Sequence, residues 1–288
     1  MSRPGAARGR GHETGRPAGR SAAPRPASCA VLPAGTLEGR TALVTGAGSG
    51  IGRAVTLRLL ELGASVVGVG RRAERLAETA ALAGPRRSAF THRALDIRDR
   101  AAAAAFVADL GGMDLLVNNA GGQFVAPATE MSRRGFGAVT DLNLTAVAAL
   151  IRAAHDGLAA RGGRVVNLSL SAPERGIPGL AHSAAARAGI AALTRSLARQ
   201  WRNDGIRLFC LAPGTVLTDG MREELPDDVR TRLLARIPLG RDTSTAEVAE
   251  WVAALGSGVA DPVSGALIEV DGGCGLVASA PLEESEVP

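Results

Sequence analysis

From Thr45 to Gly52 the chain reads Thr-Gly-Ala-Gly-Ser-Gly-Ile-Gly. A phosphate group needs close approach to bare backbone and the positive end of a helix, and a glycine-rich turn that opens a helix supplies both. A β-branched run, Thr41 to Thr45, precedes the turn and an amphipathic stretch, Arg53 to Leu62, follows it. In that setting Thr45, Gly46, Gly48, Ser49, Gly50, Ile51 and Gly52 read as a dinucleotide cradle rather than a plain turn. The second strand decides which dinucleotide, because an acidic residue at its end would bond the ribose 2′-hydroxyl. Here it ends Gly68-Val-Gly70-Arg71-Arg72. Two planar, permanently charged guanidinium groups suit a 2′-phosphate, so the pattern points to NADP(H) ahead of NAD(H); the plainer alternative is a solvated pair opening a helix. Asp96, closing the third strand, is placed to reach adenine or to cap a helix ahead of Asp99. Asn118-Asn119-Ala120-Gly121 brings small and amide groups to the cofactor or, alternatively, fixes the sheet edge.

The elements that must position these residues follow from alternation. Short apolar runs at 41–45, 65–69, 89–95, 114–117, 164–167, 206–209 and 266–270 are separated by alanine- and leucine-rich stretches long enough for crossover helices. Several runs are apolar on consecutive positions, as parallel strands covered on both faces require. The expected architecture is α/β: a single Rossmann-fold domain over 36–276, with a doubly wound seven-stranded parallel sheet and helices on both faces. The segment 215–241, interrupted by Pro226 and Pro238, follows a strand's carboxyl end and is the candidate substrate lid, ahead of a final helix near Ala246 to Leu255.

Composition narrows the function classes. The chain contains no lysine and no tyrosine, so all 33 basic residues are arginine. The net charge of +5 is largely a property of residues 1–35, an Arg/Gly/Pro/Ala-rich tail expected to be disordered, which leaves nucleic-acid binding resting on composition alone. An organelle transit peptide is the alternative for this leader, opposed by its many Pro and Gly residues. Residues 277–288 read as a flexible acidic tail. Cys29, Cys210 and Cys274 form no CxxC pair and have no histidine at metal-ligand spacing, which predicts reduced thiols, no metal and a cytoplasmic protein. No stretch reaches the roughly 18 continuous apolar residues of a membrane span.

The glycine motif, Asn118-Asn-Ala-Gly121, Asn143, Gly163-Arg-Val-Val-Asn-Leu-Ser169 and Pro213-Gly-Thr-Val-Leu-Thr218 resemble the short-chain dehydrogenase/reductase family in order and spacing, over about Leu37 to Gly275. Within it, Asn119-Ala-Gly-Gly-Gln-Phe124 and His182-Ser-Ala-Ala-Ala-Arg-Ala-Gly189 are similar to the peroxisomal trans-2-enoyl-CoA reductase branch and its bacterial relatives. The resemblance implies cofactor contacts from Asp96, Ile97, Asn119, Ala120, Gly121, Arg187, Pro213, Gly214, Val216 and Thr218. It also implies a homodimer or homotetramer built through the long helices around 138–160 and 184–201, with Trp201 as a packing residue.

Most family members carry a Ser, a Tyr and a Lys, the last two four residues apart on one helix face. The Tyr moves the substrate proton; the Lys lowers its pKa and holds the nicotinamide ribose. Here the Lys position is Arg187, the Tyr position is Ser183, and the Ser position falls on Leu170 between Ser169 and Ser171. A guanidinium can still bond ribose hydroxyls, but a serine is too weak an acid to replace tyrosine. Reduction of a 2-enoyl thioester, such as an acyl-CoA, asks less: donors must face the thioester oxygen while the α-carbon takes its proton from water. Ser183, Ser171, Asn143 and His182 are the candidates, with His182 alternatively the proton donor or a half-buried cap of the helix near Ser183. Ser169 and Ser171 have the plainer reading of loop hydroxyls. A non-catalytic dinucleotide-binding homologue, acting as sensor or partner subunit, and a carbonyl/alcohol enzyme with atypical acid-base residues remain the alternatives.

Overall fold

The computed structural model describes residues 30–171, 176–218 and 226–276. Its strands are β1 Thr41–Thr45, β2 Ser65–Gly70, β3 Phe90–Ala94, β4 Leu115–Asn118, β5 Arg164–Leu168, β6 Arg207–Pro213 and β7 Leu267–Val270. They form one seven-stranded parallel sheet in the order β3-β2-β1-β4-β5-β6-β7. Every residue of β4 and β5 is buried, which accounts for their continuous apolar runs. β6 runs on to Pro213, beyond the expected end at Phe209. Cys210 to Pro213 lack β-branched residues, yet pairing with β7 and burial hold them extended.

The helices are α1 Gly50–Glu61, α2 Ala73–Leu82, α3 Arg100–Asp109, α4 Arg133–Thr140, α5 Ala146–Ala153, α6 His155–Ala159, α7 Ala181–Gln200, α8 Asp227–Ala235 and α9 Thr245–Ser257. One core packs α1 and α9 on the sheet through Val55, Leu59, Val248 and Val252. The other packs α3, α5 and α7 through Phe106, Leu150, Ile190 and Trp201. Trp201 is buried, its ring edge-on to that of His155 at 4.8 Å. Few aromatics serve these cores, so Leu, Val, Ile and Ala fill the volume.

α4 and α5 are one rod, Arg133–Ala153, joined by a π-helical turn at Asp141–Thr145. By length and composition this rod is apolar enough to cross a membrane, which the count of continuous apolar residues does not reveal. It opens on two arginines, carries Asp141 and the buried Asn143 midway, and packs against α3 and α7, as a core helix of this fold does.

Val31 and Leu32 fall inside the span expected to be a loose tail, yet both N–H groups donate to Glu250 Oε1 at 2.7 Å. Glu250 projects from α9 with only 8% of its surface exposed, and Arg58 Nε completes its shell at 2.6 Å. A buried carboxylate must be bonded, and here the Val31 and Leu32 N–H groups do it. Residues 1–29 of the expected tail at 1–35, with Cys29, and the expected tail at 277–288 lie outside the described residues.

The segment 215–241 contains α8, and part of it, 219–225, lies outside the described residues. Thr243, just past its end, is tied to the sheet: its N–H donates to the Thr215 carbonyl at 3.1 Å and its hydroxyl to the Val270 carbonyl at 3.0 Å. Ser244 and Glu247 then cap α9 reciprocally. Burial works to raise the Glu247 pKa, but Arg241 and the Ser244 N–H and hydroxyl outweigh it and hold the carboxyl at about 2. A depressed carboxyl stabilises the fold above its unfolded value, near 4.5, and that contribution is lost as pH falls through about 2. Glu247→Ala should therefore lower Tm at neutral pH by roughly 3–6 °C, and thermal scans at low pH should show the gap to wild type closing.

Candidate active site

The strand order reverses beside β1, whose neighbours are β2 and β4, and in open α/β sheets ligands bind outside the carboxyl ends of the strands at such a point. The glycine turn sits there. Gly46 and Gly50 have φ of +71° and +50°, a region that side chains rarely adopt. Gly52 is helical, but a Cβ on it would run into the Gly46 carbonyl and the Asn119 amide. Ser49 is the extended N-cap of α1, and its exposed hydroxyl makes no capping bond. The first-turn N–H groups are thus left without a side-chain cap, as an anion site needs. Thr218 closes in from the loop after β6, its methyl 3.1 Å from where a Gly50 Cβ would sit. These features fit a dinucleotide, with the glycine backbone and the α1 N-terminus as the pyrophosphate seat.

Thr45 and Asn119 stitch the two strand ends together. Asn119 N and Ala120 N each donate to Thr45 Oγ1 at 3.0 Å, and Asn119 Nδ2 donates to the Thr45 carbonyl at 2.9 Å. Of the two readings for these amides, Asn119 thus takes the structural one. Arg53, which the sequence reading passed over, braces the turn from outside: its Nη2 donates to the Gly48 carbonyl at 2.7 Å and its Nε to Thr79, whose hydroxyl donates to the Ala47 carbonyl.

Arg71 and Arg72 are exposed just past β2, with Arg72 as the N-cap of α2. Asp96 does not cap the helix. Its carboxylate is clasped by Arg98, with Nη2 to Oδ2 at 2.5 Å, and that guanidinium holds it below its usual range despite partial burial. The cap of α3 is Asp99, which accepts from Ala102 N at 3.0 Å. Ile97 between them is buried.

Ser183 and Arg187 lie one turn apart on α7 and converge on the loop after β4. Ser183 Oγ donates to Gln123 Oε1 at 2.7 Å. Arg187 Nη1 donates to the Leu168 carbonyl at 2.6 Å, and the guanidinium lies against Gly121, where any Cβ would strike it. Burial pushes the Arg187 pKa down to about 10, a sign that this cation is costly to hold. Nearby, burial pushes the Cys210 thiol up to about 11 against the opposing pull of Ser169 and Arg187, so it stays neutral. Asn143 spends both ends of its amide on Gly122, Nδ2 to the carbonyl at 2.9 Å and Oδ1 from the N–H at 3.0 Å. It positions the loop that carries Gly121 and Gln123.

Of the other two candidates, only Ser171 is drawn away from this cluster. Ser171 Oγ donates to Asp271 Oδ2 at 2.5 Å and to Glu269 Oε1 at 3.3 Å, beside β7. Burial works to raise the Asp271 pKa, but the Ser171 hydroxyl and the Gly275 and Gly273 N–H groups prevail and lower it. His182 is fully buried rather than half-buried, and it caps nothing: Leu180 is the N-cap of α7, and neither ring nitrogen has a hydrogen-bond partner among the described residues. Its ring meets Phe124 edge-on at 4.5 Å. Pro213 ends β6, Gly214 packs so tightly on Asp271 that a Cβ would approach Asp271 Cβ to 2.6 Å, and Val216 is buried in the core.

Two further features escaped the sequence reading. Gln123 lies in the stretch Asn119-Ala-Gly-Gly-Gln-Phe124, whose sequence alone does not reveal its bond to Ser183. A buried relay runs from Asn118 Nδ2 to Asn167 Oδ1 at 2.8 Å, then from Asn167 Nδ2 to Thr194 Oγ1 at 3.0 Å, joining β4, β5 and α7 under the site. Its signal was an asparagine inside the otherwise apolar run Arg164-Val-Val-Asn-Leu168.

A family model described as enoyl-(acyl carrier protein) reductase matches residues 46–275. The 3-oxoacyl-[acyl-carrier-protein] reductase FabG of Vibrio cholerae is 34% identical over 246 residues, covering 84% of this chain and 99% of the relative. Among solved structures, a short chain dehydrogenase/reductase family protein superposes with a TM-score of 0.78 at 35% identity, covering 84% of this chain and 100% of its own. One from Agrobacterium tumefaciens with bound NADP, proposed to be a 2-deoxy-d-gluconate 3-dehydrogenase, superposes at 0.77 with 36% identity, covering 83% of this chain and 97% of its own.

Proposed function

Because the chain belongs to the short-chain dehydrogenase/reductase family of oxidoreductases, we propose that it is an NADP(H)-dependent reductase of 2-enoyl thioesters, acyl-CoA or a similar conjugated carbonyl. The observation that carries this reading is the pair at the Tyr and Lys positions: a serine hydroxyl bonded at 2.7 Å to Gln123, and a retained cation at Arg187. The chain has no tyrosine to serve as the proton donor, which favours a reaction whose substrate proton goes to carbon from water. Ser183 engages the Gln123 amide through its oxygen, which leaves the amide N–H pair for an acceptor such as a thioester carbonyl. Arg187 supplies positive charge behind Gly121, and Arg71 with Arg72 offers two forks to a 2′-phosphate. The dinucleotide, when bound, supplies the hydride that the β-carbon receives. The same reading has the chain act in the cytoplasm as a homodimer or homotetramer joined through α4, α5 and α7, with 215–241 closing over the substrate.

A second reading, a dinucleotide-binding member without turnover, is favoured by one observation: the Ser183 and Ser171 hydroxyls are already committed, to Gln123 and Asp271. Mixing the full chain with NADPH and matched 2-enoyl- and 3-oxoacyl-CoA substrates, while following nicotinamide absorbance, separates the readings. Faster turnover of the enoyl thioester is expected. Turnover of the 3-oxoacyl substrate or simple carbonyls alone defeats the enoyl assignment, and saturable NADPH binding with no turnover selects the binder. In the same assay Arg71→Ala/Arg72→Ala should weaken NADPH about 10-fold or more while leaving NADH nearly unchanged.

A further inference from the structure

On the rim of the sheet opposite the glycine turn lies an open pocket of about 460 Å3. Arg207 opens β6 and Gly265 lies just before β7, whereas the glycine turn follows the last residue of β1. With all strands parallel, the two sites are separated by the length of the sheet, about 20 Å. Four arginines line the pocket from three elements: Arg195 and Arg199 from the flank of α7 that meets β6 and Gly265, Arg202 from the turn that follows it, and Arg207.

We propose that this pocket binds a small anion carrying two or more phosphate groups, independently of the dinucleotide site. No carboxylate lines it, and among the described residues none of the four arginines is within ion-pair distance of one. Arg40, Arg58, Arg98, Arg164 and Arg241 each hold an acidic partner, whereas here four arginines without one share a single concavity. Like charges gathered without a counter-charge oppose folding, and a bound polyanion removes that repulsion. Two of the heads are steadied by backbone: Arg202 Nη1 donates to the Arg199 carbonyl at 2.9 Å and Arg207 Nη1 to the Ile206 carbonyl at 3.3 Å, with other N–H groups left over. Ser264 accepts the Leu208 N–H at 3.1 Å, which leaves its own O–H to donate. Ala198 and Gly265 complete the lining with almost no side chain; a Cβ on Gly265 would come within 3.4 Å of Ala198. The result is a concave, donor-only surface, which suits a compact ligand with clustered oxygens, and guanidinium forks match phosphate geometry.

The test is calorimetric titration of the full chain, saturated with NADPH to fill the dinucleotide site, with sodium tripolyphosphate. One saturable site is expected. Arg199→Ala/Arg202→Ala changes two exposed residues and keeps the arginine-rich leader, so the leader's contribution cancels. This variant should bind tripolyphosphate about 30-fold or more weakly with NADPH affinity unchanged and Tm no lower than that of wild type. The control Arg133→Ala/Arg134→Ala, also exposed but outside the pocket, should bind as wild type. Absence of a saturable site, equal affinity in the pocket variant, or an equal loss in the control each overturns the proposal.

Discussion

Gly52→Ala is expected to weaken dinucleotide binding by about 100-fold or more, which corresponds to roughly 2.7 kcal/mol. The added methyl would meet the carbonyl oxygen and carbon of Gly46, which are backbone atoms and cannot swing aside. Gly46 is itself anchored, its N–H donating to the Val69 carbonyl at 2.8 Å, so the strain must open the turn or tilt α1 away from it. Either response moves the N–H groups that face the pyrophosphate. Gly137→Ala is the matched control: a Cβ there meets nothing within 4 Å, and alanine favours the α4 helix in which it lies. Fluorescence titration with NADPH measures both; wild-type affinity in Gly52→Ala would remove the physical basis for the cradle.

The second large effect has opposite signs on stability and activity. Arg187→Met should raise Tm in the absence of nucleotide while turnover falls by about 10³-fold. Burial holds the Arg187 pKa down to about 10, and its hydrogen-bond acceptor is a neutral carbonyl, so among the described residues this desolvated cation has no carboxylate partner. Replacing that charge with an apolar chain of similar length should recover on the order of 1–2 kcal/mol. The cost falls on the site, where the cation sits against Gly121 and would bond the nicotinamide ribose. Arg187→Lys keeps the charge and should keep more activity than Arg187→Met. Scanning calorimetry with single-turnover kinetics reads both quantities, and a drop in Tm for Arg187→Met would recast Arg187 as a structural residue.

How much could be seen in advance depended on how local the cause was. The central strands were legible because burial on both faces leaves mostly apolar runs such as Leu115–Val117 and Leu208–Ala212, and the glycine turn because positive φ and close backbone contact exclude other residues. Arg187 and Ser183 could be aligned by their spacing on one helix. What was hidden lay in partnerships between distant residues. Ser171 was a candidate donor until its bond to Asp271, one hundred residues away, drew it to the edge strand. Glu250 recruits Val31 and Leu32 across more than two hundred residues, so no local pattern could show that these two residues belong to the folded domain. Asp96 and Asp99 differ by three positions and exchange roles because Arg98 claims the first. The burial of His182, with neither ring nitrogen bonded among the described residues and Phe124 edge-on to it, comes from packing that its position in the sequence does not reveal.

The wide turn at Asp141–Thr145 has a geometric consequence for the rod it interrupts. Each residue of an α-helix advances the side chains by about 100°, and a turn of i to i+5 bonding inserts one such step. The apolar stripe of α5, aimed at α3, is therefore out of phase with that of α4, which faces α7. A single straight rod with one stripe could serve only one of those neighbours. The phase slip turns it into a corner piece, so the rear half locks into the scaffold while the front half, Asn143 at its joint, holds the loop at the mouth of the cleft.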